Sequence, residues 1–169
     1  SYIYWFLEVC FGKAVLTQAV RYCGLTALEP VDLNTGWDLT TTSAVRKLKA
    51  LIQEYRPLMT HFAPVCRIFS QAFHPLSLPQ YYTQEADYQR DLKLAINICG
   101  LAMYCYTLQL FVSIENPIRS SIFALTCYVQ LHRRAGFFFV DANMCMYVYI
   151  HEFTNELIWK GLRILTNSH

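Results

Sequence analysis

Apolar positions along the chain follow two rhythms. Ile3 to Phe11 is a β-branched and aromatic run, which predicts a buried strand that Gly12 breaks. In Ala14 to Cys23, Val15, Leu16, Ala19, Val20 and Cys23 recur at helical spacing, and Gly24 stands where a helix C-terminal glycine belongs. Thr26 to Val31 predicts a second short strand ending in Asp32, followed by the turn Asn34-Thr35-Gly36. Ser43 can cap a helix carrying Val45, Leu48, Leu51, Ile52 and Tyr55, which Pro57 stops. Leu58 to Phe62 is a third strand, with Ala63-Pro64-Val65-Cys66 the loop after it.

His74 to Gln84, with Pro75, Ser77 and Pro79, predicts an exposed loop. A long helix from about Glu85 to Gln109 follows. Phe111 to Ile114 is a fourth strand with Glu115-Asn116-Pro117 its exit turn, Ile118 to Arg134 is helical, and Gly136 to Asp141 is a fifth strand. Tyr147 to Glu156 is a loop or short helix, and Leu157 to Thr166 a last strand antiparallel to the rest. Near-continuous apolar strands alternating with helices predict an α/β fold: one mostly parallel sheet covered on both faces. No repeat or second composition zone divides the chain, so residues 1–169 are expected to form a single domain.

Composition narrows the picture. Of 169 residues, 54% are hydrophobic and 15% charged, far below the roughly 25% charge of ordinary soluble domains. Disorder is excluded by that balance. A buried sheet accounts for it without lipid, but Leu94 to Ile114 holds 21 residues without a charge, so a membrane-associated protein using 94–114 is an alternative expectation. Asn97, Gly100, Thr107, Gln109 and Ser113 interrupt that stretch and argue against it. Ser1 to Phe11 carries Glu8 and no basic leader, so no signal peptide is expected. Seven cysteines with no C-x-x-C pair predict neither a metal site nor a redox pair. Cys10, Cys23, Cys99, Cys105 and Cys127 read as small core residues in a reducing, intracellular compartment.

In an open parallel sheet ligands bind at the carboxyl ends of the strands. The residues standing there are Gly12, Asp32, Cys66, Glu115-Asn116 and Asp141. Gly12 admits a close backbone approach at a helix N-terminus. Asp32 can accept hydrogen bonds from ribose hydroxyls or serve only as a turn aspartate. Asp38, in Gly36-Trp37-Asp38-Leu39, can meet an amino group or act as a cap.

Taken in order, Leu7–Thr17, Glu29-Pro30-Val31-Asp32, Gly36-Trp37-Asp38-Leu39, His61–Ser70 with Pro64-Val65-Cys66-Arg67-Ile68-Phe69-Ser70, and Ser113-Ile114-Glu115-Asn116-Pro117 resemble an S-adenosylmethionine-dependent methyltransferase. More narrowly, the chain is similar to a short, divergent cytosine-5 DNA methyltransferase-like domain of phage or mobile-element type. Asp141-Ala142-Asn143-Met144-Cys145-Met146-Tyr147 adds to the likeness. The resemblance implies a Rossmann-like methyltransferase sheet and S-adenosylmethionine held by Gly12, Asp32, Trp37 and Asp38. It implies Cys66 as the nucleophile on the pyrimidine's sixth carbon, Glu115 as the acid at the adjacent ring nitrogen, and Asn116 orienting the loop or the base. The base would leave the stack to reach Cys66.

The sequence also departs from the pattern. Ala14 replaces a second glycine, Val65 a proline, Arg67 a glutamine, and Val148 a glycine; no separate target-recognition domain is expected within residues 1–169. A catalytically degenerate domain of the same fold, binding or structural within a larger protein or complex, is therefore the second expectation. A hydrolase built on Ser70 and His74 is a poorer one, since no relay is spelled out. With net charge +2 and 14 Lys and Arg spread along the chain, nucleic-acid affinity is expected to be weak and salt-dependent. Arg67, Arg119, Arg133, Arg134, Lys160 and Arg163 are the candidate phosphate contacts.

Overall fold

The computed structural model describes residues 4–10, 12–69, 78–134, 136–143 and 161–168. Its frame is a five-stranded mixed sheet made of β1 (Phe6–Val9), β2 (Met59–Phe62), β3 (Phe111–Pro117), β4 (Phe138–Asn143) and β5 (Gly161–Thr166). Their spatial order is β1-β2-β3-β5-β4. The pairs β1–β2 and β2–β3 are parallel, whereas β3–β5 and β4–β5 are antiparallel. The expectation of a mostly parallel sheet thus holds for only two of the four pairs. The antiparallel last strand inserts between β3 and β4 instead of adding at an edge, so one reversed strand converts two interfaces. The stretch read as a strand at Thr26–Val31 is reduced to two bridges beside β1, Phe6 with Ala27 and Val9 with Val31. Pro30 removes a ladder donor there.

Side chains alternate across each strand, so the two faces differ in chemistry. Leu7, Val9, Phe62, Val112, Ile114 and Leu165 point into the main core. There they meet Leu48 and Ile52 of α2 (Thr42–Tyr55), Ile98, Leu101 and Ala102 of α3 (Leu78–Thr107), and Leu131 of α4 (Thr126–His132). The opposite face carries Glu8, His61 and Ser113 in cross-strand register, all nearly inaccessible. Helix α1 (Val15–Tyr22) lies over the β1 end of it, attached through Thr17. Further along that face Phe111 and Val140 are each 40% exposed.

Several local expectations are corrected. Thr41, not Ser43, caps α2, its hydroxyl accepting the Ala44 N–H. Residues 78–84 belong to α3 instead of a loop, while 74–77, the rest of that segment, fall outside the described residues, as does 147–156. Glu115-Asn116-Pro117 is not a turn: β3 continues through all three, opposite Ile164, Arg163 and Leu162. Between Ile118 and Arg134 a 3-10 turn over Ser121–Ala124 precedes the shorter α4. Cys23 is exposed, whereas Cys99 and Cys105 are buried as expected. Leu94–Ile114 divides at Gln109, whose φ of +58° turns helix into strand. Among the described residues no helix is long and apolar enough to cross a membrane.

Candidate functional site

The strands at 27–31, β1, β2 and β3 all run the same way, so their carboxyl ends share one edge. A cleft of about 230 Å³ opens there. Its walls include Gly12, Asp32, Trp37 and Asp38, the four residues expected to hold a cofactor, together with Ala63 and Val65 from the loop after β2. Leu33, Leu39 and Leu94 supply apolar wall, and Cys10, Arg90 and Asp91 complete the polar part.

The turn that forms one wall is unusual in its backbone. Cys10, Gly12 and Ala14 all take positive φ, at 61°, 56° and 52°. Gly12 does so freely, and a Cβ there would meet nothing within 4 Å. Ala14 does not: a left-handed residue with a Cβ costs roughly 1–2 kcal/mol. Ala14 is also the N-cap of α1 and offers no side-chain cap. Glu8 compensates, because its buried carboxylate accepts from both the N–H (2.7 Å) and the hydroxyl (2.5 Å) of Thr17 in the first turn. An acid at a helix N-terminus also meets the positive end of the helix dipole. Burial, with the Asp32 carboxylate adding to it, pushes the Cys10 thiol up to about 12, so this cleft cysteine stays protonated.

Asp32 lines the cleft and closes a turn at once. One oxygen accepts the Asn34 N–H at 2.9 Å, and its own N–H is returned to Thr35 Oγ1, a reciprocal cap. A carboxylate has about four acceptor positions, so others remain for a ligand. Asp38 is exposed, and the Thr40 hydroxyl and N–H hold its carboxyl below the usual carboxylate range. Trp37 is fixed by the Lys47 ammonium 4.4 Å from its ring centroid.

The second wall leads to the cysteine loop. Cys66 is half-buried and sits one residue past Val65, although it is not itself part of the cleft lining. The loop is fastened at both ends. Asn116, 2% exposed on β3, donates from Nδ2 to the Pro64 carbonyl at 2.9 Å, while its Oδ1 is buried without a hydrogen-bond partner. Arg67 reaches Asp91 at 3.1 Å and Asp87 at 3.2 Å on α3. Glu115 stands one residue past the last β2–β3 register pair, Phe62 with Ile114, at the same sheet edge as Cys66. Its carboxylate lies 3.7 Å from His61 Nε2, and His61 Nδ1 is 2.7 Å from Ser113 Oγ. Burial lowers His61 to about 4, so it is neutral at physiological pH.

Asp141 is not at a strand end but inside β4, where Arg163 holds it through two contacts of 2.7 Å. Arg67 and Arg163, two candidate phosphate contacts, are therefore engaged by acids, whereas Arg119, Arg133 and Arg134 are exposed; Lys160 lies outside the described residues. Sequence reasoning missed Arg90 and Asp91. A signal was present: Asp87 and Asp91 are an i,i+4 acidic pair, which repels unless a cation sits between them.

No protein-family model matches the chain, and no curated protein sequence matches it significantly. Solved structures do. The Dnmt2 methyltransferase of S. pombe superposes with a TM-score of 0.55 at 11% identity, over 97% of this chain and 50% of that one. A triple mutant of Spodoptera frugiperda DNMT2 gives 0.47 at 13% identity, over 96% and 49%. The chain thus spans about half the length of the structures it matches, and at such identity the likeness to the first of them is one of fold: this chain has a methyltransferase fold.

Proposed function

We propose that the chain binds S-adenosylmethionine in the cleft at the strand ends and acts as a methyltransferase on the ring carbon of a cytosine in nucleic acid. The observation that carries this reading is the convergence of Gly12, Asp32, Trp37 and Asp38 on one cleft whose far wall, Val65, is the neighbour of Cys66. The donor set fits that cofactor. Its ribose hydroxyls and amino groups are hydrogen-bond donors, the cleft offers Asp32, Asp38 and Asp91 as acceptors, and the leucines and Trp37 suit an apolar ring. Bound there, S-adenosylmethionine supplies an electrophilic methyl group on a sulfonium.

The remaining chemistry belongs to the chain. Cys66, as thiolate, attacks the sixth carbon of the pyrimidine and makes the fifth carbon nucleophilic; once the fifth carbon carries the methyl group, loss of its proton to a water or other base expels the thiolate and restores the ring double bond. Glu115, at the same edge, gives a proton or hydrogen bond to the adjacent ring nitrogen. Asn116 ties Pro64 to β3 and so aims the loop. With Arg67 and Arg163 committed to acids, backbone contacts fall to Arg119, Arg133 and Arg134, and affinity for nucleic acid alone is weak and falls steeply with salt.

A second reading, a fold that keeps the cleft without turnover, is favoured by Ala14, which strains the turn where the resembling family has glycine. Two measurements separate the readings. Calorimetry with S-adenosylmethionine tests the cleft, and methyl transfer to a cytosine-containing duplex or RNA tests the chemistry. Cys66→Ser is expected to abolish transfer with cofactor binding retained, and Glu115→Gln to slow it roughly 10²–10⁴-fold. Transfer that survives Cys66→Ser overturns the assignment. Binding without transfer in the unaltered chain supports the second reading.

A further inference from the structure

We infer that Arg67 and Asp91 form a positioning pair that holds the cysteine loop against the wall of the cleft. This rests on the reading of Cys66 as nucleophile and adds a device that the resembling family's glutamine would not provide. Asp91 sits inside α3 with its side chain 1% exposed, yet it lines the cleft. A carboxylate so placed needs compensating charge. It receives Arg67 Nη2 on one oxygen at 3.1 Å and Arg90 Nη2 on the other at 3.4 Å. The second arm of Arg67, Nη1, reaches Asp87 one helical turn earlier, at 3.2 Å. A planar guanidinium can span two carboxylates in this way, and a lysine ammonium cannot match that fork.

The geometry gives the pair a particular target. Arg67 directly follows Cys66 and begins the 3-10 turn Arg67–Phe69, in which the Phe69 N–H returns to the Cys66 carbonyl at 3.0 Å. The Cys66 carbonyl is thus fixed by the turn, and the turn is fixed to α3 by Arg67. At the other end, Asn116 holds Pro64 to β3. Three residues, Pro64 to Cys66, are suspended between two anchors on different elements. Removing the Arg67 anchor should free the thiol end while leaving the sheet intact.

Other cysteines in the chain provide the internal standards for a test. Cys23 is exposed on the α1 side and reports reagent access; Cys99 and Cys105 are buried and report global opening. Alkylation by iodoacetamide, resolved by mass spectrometry of each cysteine-containing peptide, needs neither cofactor nor nucleic acid, so it is independent of whether S-adenosylmethionine binds. Arg67→Gln and Asp91→Asn are each expected to raise Cys66 labelling roughly tenfold relative to Cys23, with Cys99 and Cys105 still protected. Asp91→Asn retains the Arg67 charge, so a rise common to both variants reports loop freedom and not a changed thiolate fraction. The double variant should label no faster than Arg67→Gln alone, because that substitution already removes the Arg67–Asp91 contact together with the one to Asp87. Arg67→Lys should restore protection only in part. Unchanged Cys66 labelling in both variants overturns the proposal. So does a rise shared with Cys105, or effects that add in the double variant.

Discussion

The turn after β1 and the loop after β2 stand side by side at one sheet edge, yet they are held in opposite ways. The β1 turn puts Cys10, Gly12 and Ala14 in left-handed backbone and is fastened to the sheet mainly by Glu8. Helix α1 behind it buries only Thr17 and leaves Val15 and Leu16 largely exposed. The β2 loop has ordinary backbone and is anchored by Asn116, Arg67 and the core residues Ile68 and Phe69. Strain is thus concentrated where a ligand would lie, and rigidity where a nucleophile would be aimed. Local stability within one fold varies with such contacts, and binding segments are drawn from its low end.

The largest expected break in this contrast comes from Glu8. Glu8→Ala removes a carboxylate that accepts two hydrogen bonds, each worth about 1.5–3 kcal/mol when one partner is charged. A loss of roughly 3 kcal/mol in urea denaturation is expected, with the turn and α1 affected first. An unchanged denaturation midpoint would mean that α1 is held by something else.

The next effect sharpens the β2 side. His61 falls from 6.5 to about 4 because it is buried. The unfolded chain then binds a proton that the folded chain does not between those values, so stability rises with pH across that window and is lost as pH falls through it. From about pH 7.5 to about pH 4.5 this amounts to roughly 2–3 kcal/mol. Denaturation curves at the two pH values should show it in the natural chain and not in His61→Gln. An equal acid loss in that variant would assign it to carboxylates, although Asp38 and Asp141 are held below their ordinary range and titrate lower still.

The smallest effect concerns Ala14. Ala14→Gly relieves the left-handed Cβ, offset in part by the greater freedom of glycine in the unfolded chain. A net gain of about 0.5–1 kcal/mol is expected, read as a higher midpoint in thermal denaturation. A loss would show that the methyl group packs usefully in the turn.

Much of this arrangement was legible because strands and their ends announce themselves locally. The runs at 3–11, 26–31, 58–62 and 111–114 are readable in the sequence, and Gly12, Asp32 and Cys66 stand at or just past the ends of the first three, although 26–31 keeps only two bridges to β1. Glu115-Asn116-Pro117 reads as a turn in sequence because it combines polar residues with proline. Only the distant β5 makes them a strand, and no local signal reports pairing across half a domain. Asp91 was missed for the same reason. On its own helix it is one more acid, and its meaning comes from Arg67, 24 positions earlier. Asp141 looked like a strand-end ligand because its Arg163 partner likewise lies far along the chain.

The reversed β5 has a bearing on biogenesis. Ser113 finds its second neighbour, Thr166, and Asn116 its ladder partner, Arg163, only on β5, far later in the sequence. During synthesis from the amino end, β1, β2 and β3 exist long before that strand arrives. Until then the strand bearing Glu115 is an unprotected edge, open to pairing with another chain. Contacts so distant are also the slow ones to form, since a long loop must close before they reward it. The acid-bearing side of the candidate site is therefore completed only once β5 has emerged. The cleft on the β1 side, by contrast, can assemble from the first half of the chain and α3.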